Sequence, residues 1–215
     1  MNMNNYQGHE FVDLGLPSGT LWATCNVGSN TPENCGDTFA WGETSNKRYN
    51  SNWKNYTYSK GNNNQLTKYC NKSNYGYDGF IDNLVTIQPS DDAATMHWGN
   101  DWHTPSREQW EELCRFTKLS KVLLKTNFLV PNKLDGLLFT ASNGCRLFLP
   151  ANRPDYGRDG GGRKGACGHY WSSSLHVNDP SRAWYFYFYS EDDYYLGSFD
   201  RSFDHFIRPV HAPID

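Results

Sequence analysis

No apolar run in this chain approaches the eighteen or so residues that a membrane-spanning helix needs. Pieces such as Val122-Leu123-Leu124 and Leu147-Phe148-Leu149 are short, and even the aromatic run Ala183 to Tyr189 is only seven residues, so a membrane-embedded protein is not expected. Charge is sparse as well: 20% of residues are charged, the formal net charge is -3, and no long run of one sign occurs. A basic footprint for nucleic acid is missing, and so is the composition of a disordered chain. Met1 to Glu10 contains neither a basic n-region nor an apolar h-region, so the expectation is a chain without a secretion signal. Cysteine is present but not clustered: Cys25, Cys35, Cys70, Cys114, Cys145 and Cys167 include no C-x-x-C pair, which predicts buried thiols rather than disulfides. His97 and His103 come nearest to a metal-ligand pair, yet no acid or thiol is spaced to complete a site, and no metal or other cofactor is expected.

The apolar mass that is present is aromatic. Of 215 residues only 37% are hydrophobic, but 14 Tyr, 12 Phe and 8 Trp are among them, so the core must be built largely from rings. Alongside these stand 22 Asn, 19 Gly and 10 Pro, a composition that implies much turn and loop. Without a fixed-period repeat or a Pro- or Ser-rich linker, residues 1–215 read as one domain.

Local patterns place the elements. Glu10 to Gly28 alternates apolar with small or polar residues about Pro17-Ser18-Gly19, a hairpin signal. Residues 45–83 read as a long loop region with brief extended pieces. Asp91-Asp92 ahead of Ala93 to Trp98 supplies a cap and first-turn acids for a short helix that Gly99 stops. Ser106 and Gln109 form a capping-box pattern for a second helix, with Trp110, Leu113, Cys114 and Thr117 on one stripe. Gly136 to Pro150 alternates about Ser142-Asn143-Gly144, a second hairpin. From Tyr170 onward the chain is strand-like. Two helices, mixed or antiparallel sheets and long loops give an α+β class.

Motifs for chemistry are missing. Gly157 to Gly165 has glycines and Lys164 but no Lys followed by Ser or Thr where phosphates would need them, so it reads as a turn. No G-x-S-x-G, H-E-x-x-H or D-x-D-x-D-G sequence occurs. Asp91 and Asp92 point about a hundred degrees apart if helical, which suits capping better than acid and base roles.

The carboxyl-terminal stretch Arg182 to Phe206 is the most informative. Eleven of its 25 residues are aromatic, against 16% for the chain. In a strand, Trp184, Phe186 and Phe188 facing inward would turn Tyr185, Tyr187 and Tyr189 outward as a row of rigid amphipathic contacts, with Ser, Gly and Asp between them, as in antibody paratopes. The alternative is a sheet buried on both faces, which leaves Asp192, Asp193, Asp200 and Asp204 in need of partners; exposure is the expectation. None of the 22 Asn falls after Asn178. Tyr, Asp, Ser, Phe and His, abundant in this tail, are all reached from an Asn codon by changing adenines. Trp, Met, Gln, Lys and Glu are not, and only Glu191 of that set lies between Tyr185 and Phe206.

Taken together, His9 to Gly28, Phe39-Ala-Trp-Gly-Glu-Thr44, Asp91 to Ala94 with Trp98-Gly99, Trp102-His-Thr-Pro-Ser106, Phe148-Leu-Pro-Ala151, Tyr170-Trp-Ser-Ser-Ser174 and Arg208-Pro-Val210 resemble the major paralogous domain of Bacteroidetes and Fibrobacter. The resemblance spans about residues 8 to 210 and implies a C-type lectin fold of the formylglycine-generating-enzyme-like branch. That branch includes variable proteins of diversity-generating retroelements, which mutate adenines in a carboxyl-terminal cassette and display the product as a hypervariable ligand-binding surface. Residues 182–210 resemble such a segment.

The implied activity is binding, not catalysis, of a protein or glycan on another cell surface, with the chain carried on a phage tail as a receptor-binding protein or on a bacterial surface. Homo-oligomers and attachment to a larger fibre are both known for such display proteins. The ligand-binding residues expected are Tyr185, Tyr187, Tyr189, Asp192, Asp193, Tyr194, Tyr195, Ser198, Phe199, Asp200, Ser202, Phe203, Asp204 and His205. A non-variable adhesin or fimbrial-tip module with the same fold and a fixed ligand is the main alternative. A formylglycine-generating-like oxidase is the third, and it is disfavoured because no Cys follows Cys167 where enzymatic relatives carry a cysteine pair. The Glu-Pro-Asn, Gln-Pro-Asp and Trp-Asn-Asp motifs of Ca2+-dependent lectins are absent too.

Overall fold

A computed structural model describes residues 4–47, 51–122, 136–154, 166–188 and 194–213. In chain order these form β1 (Asn4–Tyr6), β2 (His9–Asp13), β3 (Leu21–Ala23), β4 (Thr38–Phe39), α1 (Ala93–Trp98), β5 (Trp102–His103), α2 (Arg107–Phe116), β6 (Thr117–Val122), β7 (Gly136–Ala141), β8 (Arg146–Pro150), β9 (Asn152–Pro154), β10 (Ala166–Leu175), β11 (Arg182–Phe188), β12 (Tyr194–Asp200), β13 (His205–Phe206) and β14 (Val210–His211). The class is α+β with two α-helices and mostly antiparallel sheets.

Both helices begin where their caps predict. Asp92 accepts from Ala94 N at 2.9 Å, and Gly99 ends α1 at φ 106°, a left-handed conformation that costs glycine little. Asp92 is buried and also receives both Thr104 N (2.8 Å) and Thr104 Oγ1 (2.7 Å). Ser106 Oγ accepts from Gln109 N while Gln109 Oε1 accepts from Ser106 N, so the capping box is complete. Trp110 and Leu113 are buried from the predicted stripe, and Cys114 packs beside them. Asp91, the neighbouring acid, turns to other partners: it accepts from Lys68 Nζ at 2.5 Å and from the Tyr69 hydroxyl.

The two predicted hairpins form. β2 and β3 pair antiparallel across residues 14–20, and β7 pairs β8 through a turn in which Gly144 takes φ 82° and donates to Ala141 O. The carboxyl-terminal β14 inserts between β3 and β5, with Val210 opposite both Trp22 and His103. The result is a five-stranded sheet of order β1-β2-β3-β14-β5. A six-stranded sheet runs β12-β11-β10-β13-β4 with β9 paired to β10 off this path, only β10 and β13 being parallel, and β6-β7-β8 form a third. α2 lies against β10, β11, β12, β6 and β7. Its Trp110 stacks on Phe186 at 4.9 Å inside a core that includes Trp22, Phe139, Tyr170, Phe188 and Phe206.

The described residues of 45–83 carry isolated bridges, turns and one 3-10 turn at Tyr77–Gly79, as expected of a loop region with brief ordered pieces, but they are not peripheral. Tyr56, Leu66, Tyr69 and Cys70 are buried, and Tyr69 shares a core with Trp41, Trp171, Tyr185 and Tyr187. Arg201, wholly buried, fastens this layer: its guanidinium donates to Tyr69 O (2.8 Å), Pro180 O (3.0 Å) and Lys68 O (2.6 Å). It also lies within 6 Å of the Trp41, Tyr56 and Tyr69 rings.

Two stability outcomes follow in denaturant unfolding. Ser106→Ala should cost about 1 kcal/mol, the usual loss for an amino-terminal cap. Arg201→Met should cost about 3 kcal/mol, because it strands the buried carbonyl oxygens of Tyr69 and Pro180 and the part-buried one of Lys68.

Candidate functional site

The segment expected to bind ligand folds as a hairpin of β11 and β12. Seven cross-strand pairs run without a bulge from Arg182 opposite Asp200 to Phe188 opposite Tyr194. Residues opposite each other share a face. One face carries Phe186 and Phe188 with Leu196 and Tyr194; the other carries Tyr185 and Tyr187 with Gly197 and Tyr195.

Phe186 and Phe188 point into the core under α2, as the alternation predicted, whereas Trp184 is only half-buried. The Arg107 guanidinium sits 3.8 Å above the Trp184 ring, and His176 tilts against it at 5.1 Å. The opposite face departs from the expected row of outward tyrosines. Tyr185 is 4% exposed and Tyr187 2%, so both are core residues. The layer of Trp41 and Tyr69 covers that face, and the sheet is buried on both sides at this point. Of the carboxylates that argued against such burial, Asp200 lies half-exposed at the strand end, while Asp204, just beyond it, keeps Oδ1 buried with no hydrogen-bond partner among the described residues.

The remaining site residues divide by burial. Tyr194 (43% exposed) and Tyr195 (45%) stand at the surface. Ser198, Phe199, Asp200, Phe203 and Asp204 are partly exposed. Ser202 and His205 are buried and cannot meet a ligand without rearrangement, which corrects the expectation for both. Tyr189, Asp192 and Asp193 lie outside the described residues.

Beneath Tyr195 is a bed of rings. The Tyr195 ring lies 5.1 Å from Tyr187, and its hydroxyl is 3.3 Å from that of Tyr185. It also folds over Gly197, where a Cβ would come 2.7 Å from its Cε2. His205 packs against Trp171 (4.2 Å), Tyr185 (5.2 Å), Phe199 (5.4 Å) and His169 (5.1 Å). Its Nδ1 meets Asp204 O at 2.8 Å, while its Nε2 is buried with no hydrogen-bond partner among the described residues. His169 Nε2 is 3.2 Å from Cys167 Sγ. Burial holds the His169 imidazolium down to about 4 and that of His205 well below its ordinary value. Burial pushes the Asp204 carboxyl up, although Ser51 N donates to it at 3.3 Å.

Tyr194 and Tyr195 supply hydroxyls and ring faces, Asp200 and Asp204 supply acceptors, and a close-packed layer below holds them. Among the described residues, no group of three or more His, Cys, Asp or Glu is placed to hold a metal ion. Arg201, His169 and the Trp184–Arg107 stack were missed from sequence. Arg201 did carry a signal, as the one cation between Ala183 and Ile207. No family model, curated protein or solved structure matches this chain.

Burial sets the expected mutational pattern. Tyr187→Ala should destabilise by about 3–5 kcal/mol, in the range of large aromatic truncations. Tyr194→Ala should stay within about 0.5 kcal/mol, as surface changes do; equal effects in thermal unfolding would refute the assignment of core and surface.

The histidines also set a pH response. Both have folded pKa values below the unfolded value, so the unfolded chain binds more protons once pH falls below about 6.5, and stability declines from there toward pH 4. His169 contributes a slope of up to about 1.4 kcal/mol per pH unit in that window, and His205 acts in the same direction. His205→Phe should flatten the curve of unfolding free energy against pH.

Proposed function

We propose that this chain is a ligand-binding display protein of C-type lectin fold, whose carboxyl-terminal surface recognises a protein or glycan on another cell. The observation that carries the reading is the pair Tyr194 and Tyr195, both exposed on a strand at the edge of the six-stranded sheet and backed by buried rings. Exposed aromatic anchors on a rigid support lose little side-chain entropy on binding, which is why such residues dominate interfaces. Asp200, Phe203 and Asp204 extend the surface around them. The absence of Asn after Asn178 supports diversification by a retroelement, with phage tails and bacterial surfaces as the settings that use such display.

A second reading, an adhesin with one fixed ligand, is favoured by the burial of Tyr185, Tyr187, Arg201, Ser202 and His205 within the same segment. Random change at those codons would strike the core. The two readings separate at the locus. Under diversification, a reverse transcriptase gene and a near-duplicate of the 185–206 coding segment lie nearby. Natural variants then differ at Tyr194, Tyr195, Ser198, Phe199, Asp200, Phe203 and Asp204 while Tyr187 and Arg201 stay constant. A locus without these genes leaves the fixed adhesin.

In either case Tyr195→Ala should weaken attachment to target cells about thirtyfold or more, the ~2 kcal/mol expected of an interface anchor. Retained attachment with an unchanged midpoint of thermal unfolding would place the binding surface elsewhere.

A further inference from the structure

β12 ends the six-stranded sheet. It pairs with β11 on one side, and among the described residues no strand pairs with its other side. Alternate residues of an edge strand turn their N–H and C=O groups away from the sheet, where they form a template for another strand. Natural edges are usually protected by lysine, proline, a bulge or shortness. Tyr194-Tyr-Leu-Gly-Ser-Phe-Asp200 has none of these: it is seven residues long, keeps one register throughout, and contains neither Lys, Arg nor Pro. Ser198 O accepts from the Arg182 guanidinium and keeps a second lone pair.

We propose that β12 is a self-association edge, which pairs antiparallel with β12 of a second copy of this chain about a two-fold axis at Gly197. The sequence of the strand is complementary to itself in that register. Tyr194 falls opposite Asp200 of the other copy, so a phenol hydroxyl meets a carboxylate twice. Tyr195 falls opposite Phe199, an aromatic pair of the kind that stabilises antiparallel strands. Leu196 falls opposite Ser198, and the two glycines meet at the axis, where no side chain stands between the backbones.

Each of these pairs lies on one face, because opposite residues share a side in both the existing hairpin and the new one. The strand's single charge, Asp200, never meets its own symmetry copy. An isologous contact of this kind closes on itself and stops at a dimer. It would join two six-stranded sheets into one and set two copies of the Tyr195 surface side by side. The inference stands on the strand alone and does not depend on the ligand-binding reading.

The test is the mass of the whole chain by sedimentation equilibrium across the micromolar range, for the natural protein, Tyr194→Asp and Tyr194→Lys. The natural chain should dimerise. Tyr194→Asp sets a carboxylate against Asp200 at two symmetric points and should weaken the dimer about tenfold or more. Tyr194→Lys sets an ammonium there and should leave the dimer as tight or tighter. The gap between the variants should narrow as salt is raised.

Tyr194 is exposed, so near-ultraviolet circular dichroism should show all three folded alike. A chain that stays monomeric throughout overturns the proposal, including one that binds an extended peptide instead. So does a dimer that the two variants change equally or leave unchanged. Attachment to cells is a separate readout, and its loss or retention decides only the ligand-binding proposal.

Discussion

A guanidinium buried without a carboxylate has to find its acceptors among backbone carbonyls, and Arg201 does so by gathering Lys68, Tyr69 and Pro180 around itself. The consequence reaches well beyond one side chain. Two of those carbonyls, on Lys68 and Tyr69, belong to an irregular stretch that they help hold on the sheet, and with it come Tyr56 and Tyr69, whose rings lie near the cation. Arg208 repeats the device at the first hairpin. Its Nε donates to Asn26 Oδ1 at 2.8 Å and its Nη1 to Ala23 O and Thr24 O, which binds the carboxyl-terminal chain to the first hairpin. Burial lowers the pKa of Arg208, the expected direction for a cation taken out of water.

The covered sheet explains why the surface available for recognition is small. β10 and β11 are sandwiched between the α2 core and the loop layer, so their rings serve packing on both faces. Along the strands of this sheet, among the described residues, exposed tyrosines stand only on β12, at Tyr194 and Tyr195. A binding surface placed there gains rigidity from the layers beneath, and it is confined to positions whose replacement leaves those layers intact.

Much of the local structure was legible. Ser106 with Gln109, Asp92 ahead of Ala93, Gly99 after Trp98 and Gly144 in its turn each act through neighbours within a few residues, and each sits where chain-local chemistry demands. The alternation of β11 was legible too, since Phe186 and Phe188 face inward. The fate of Tyr185 and Tyr187 was not. Period-two alternation says that two faces differ, but not whether the second is covered, and the cover comes from Trp41 and Tyr69, more than a hundred positions away in the chain. Arg201 went unread for a related reason: nothing near it in the chain shows that a cation among aspartates and tyrosines is buried until its carbonyl partners are known.

By itself, then, the sequence determined the class of the fold, the ends of its helices, the turns of its hairpins and an aromatic rather than aliphatic core. These depend on interactions that fall off within a turn or a strand pair. Tertiary structure alone decided which tyrosines are core and which are surface, which arginines are buried, and that β12 ends its sheet. Those are matters of what lies on the far side of a residue, and burial is set by segments distant in sequence that only the folded chain brings together.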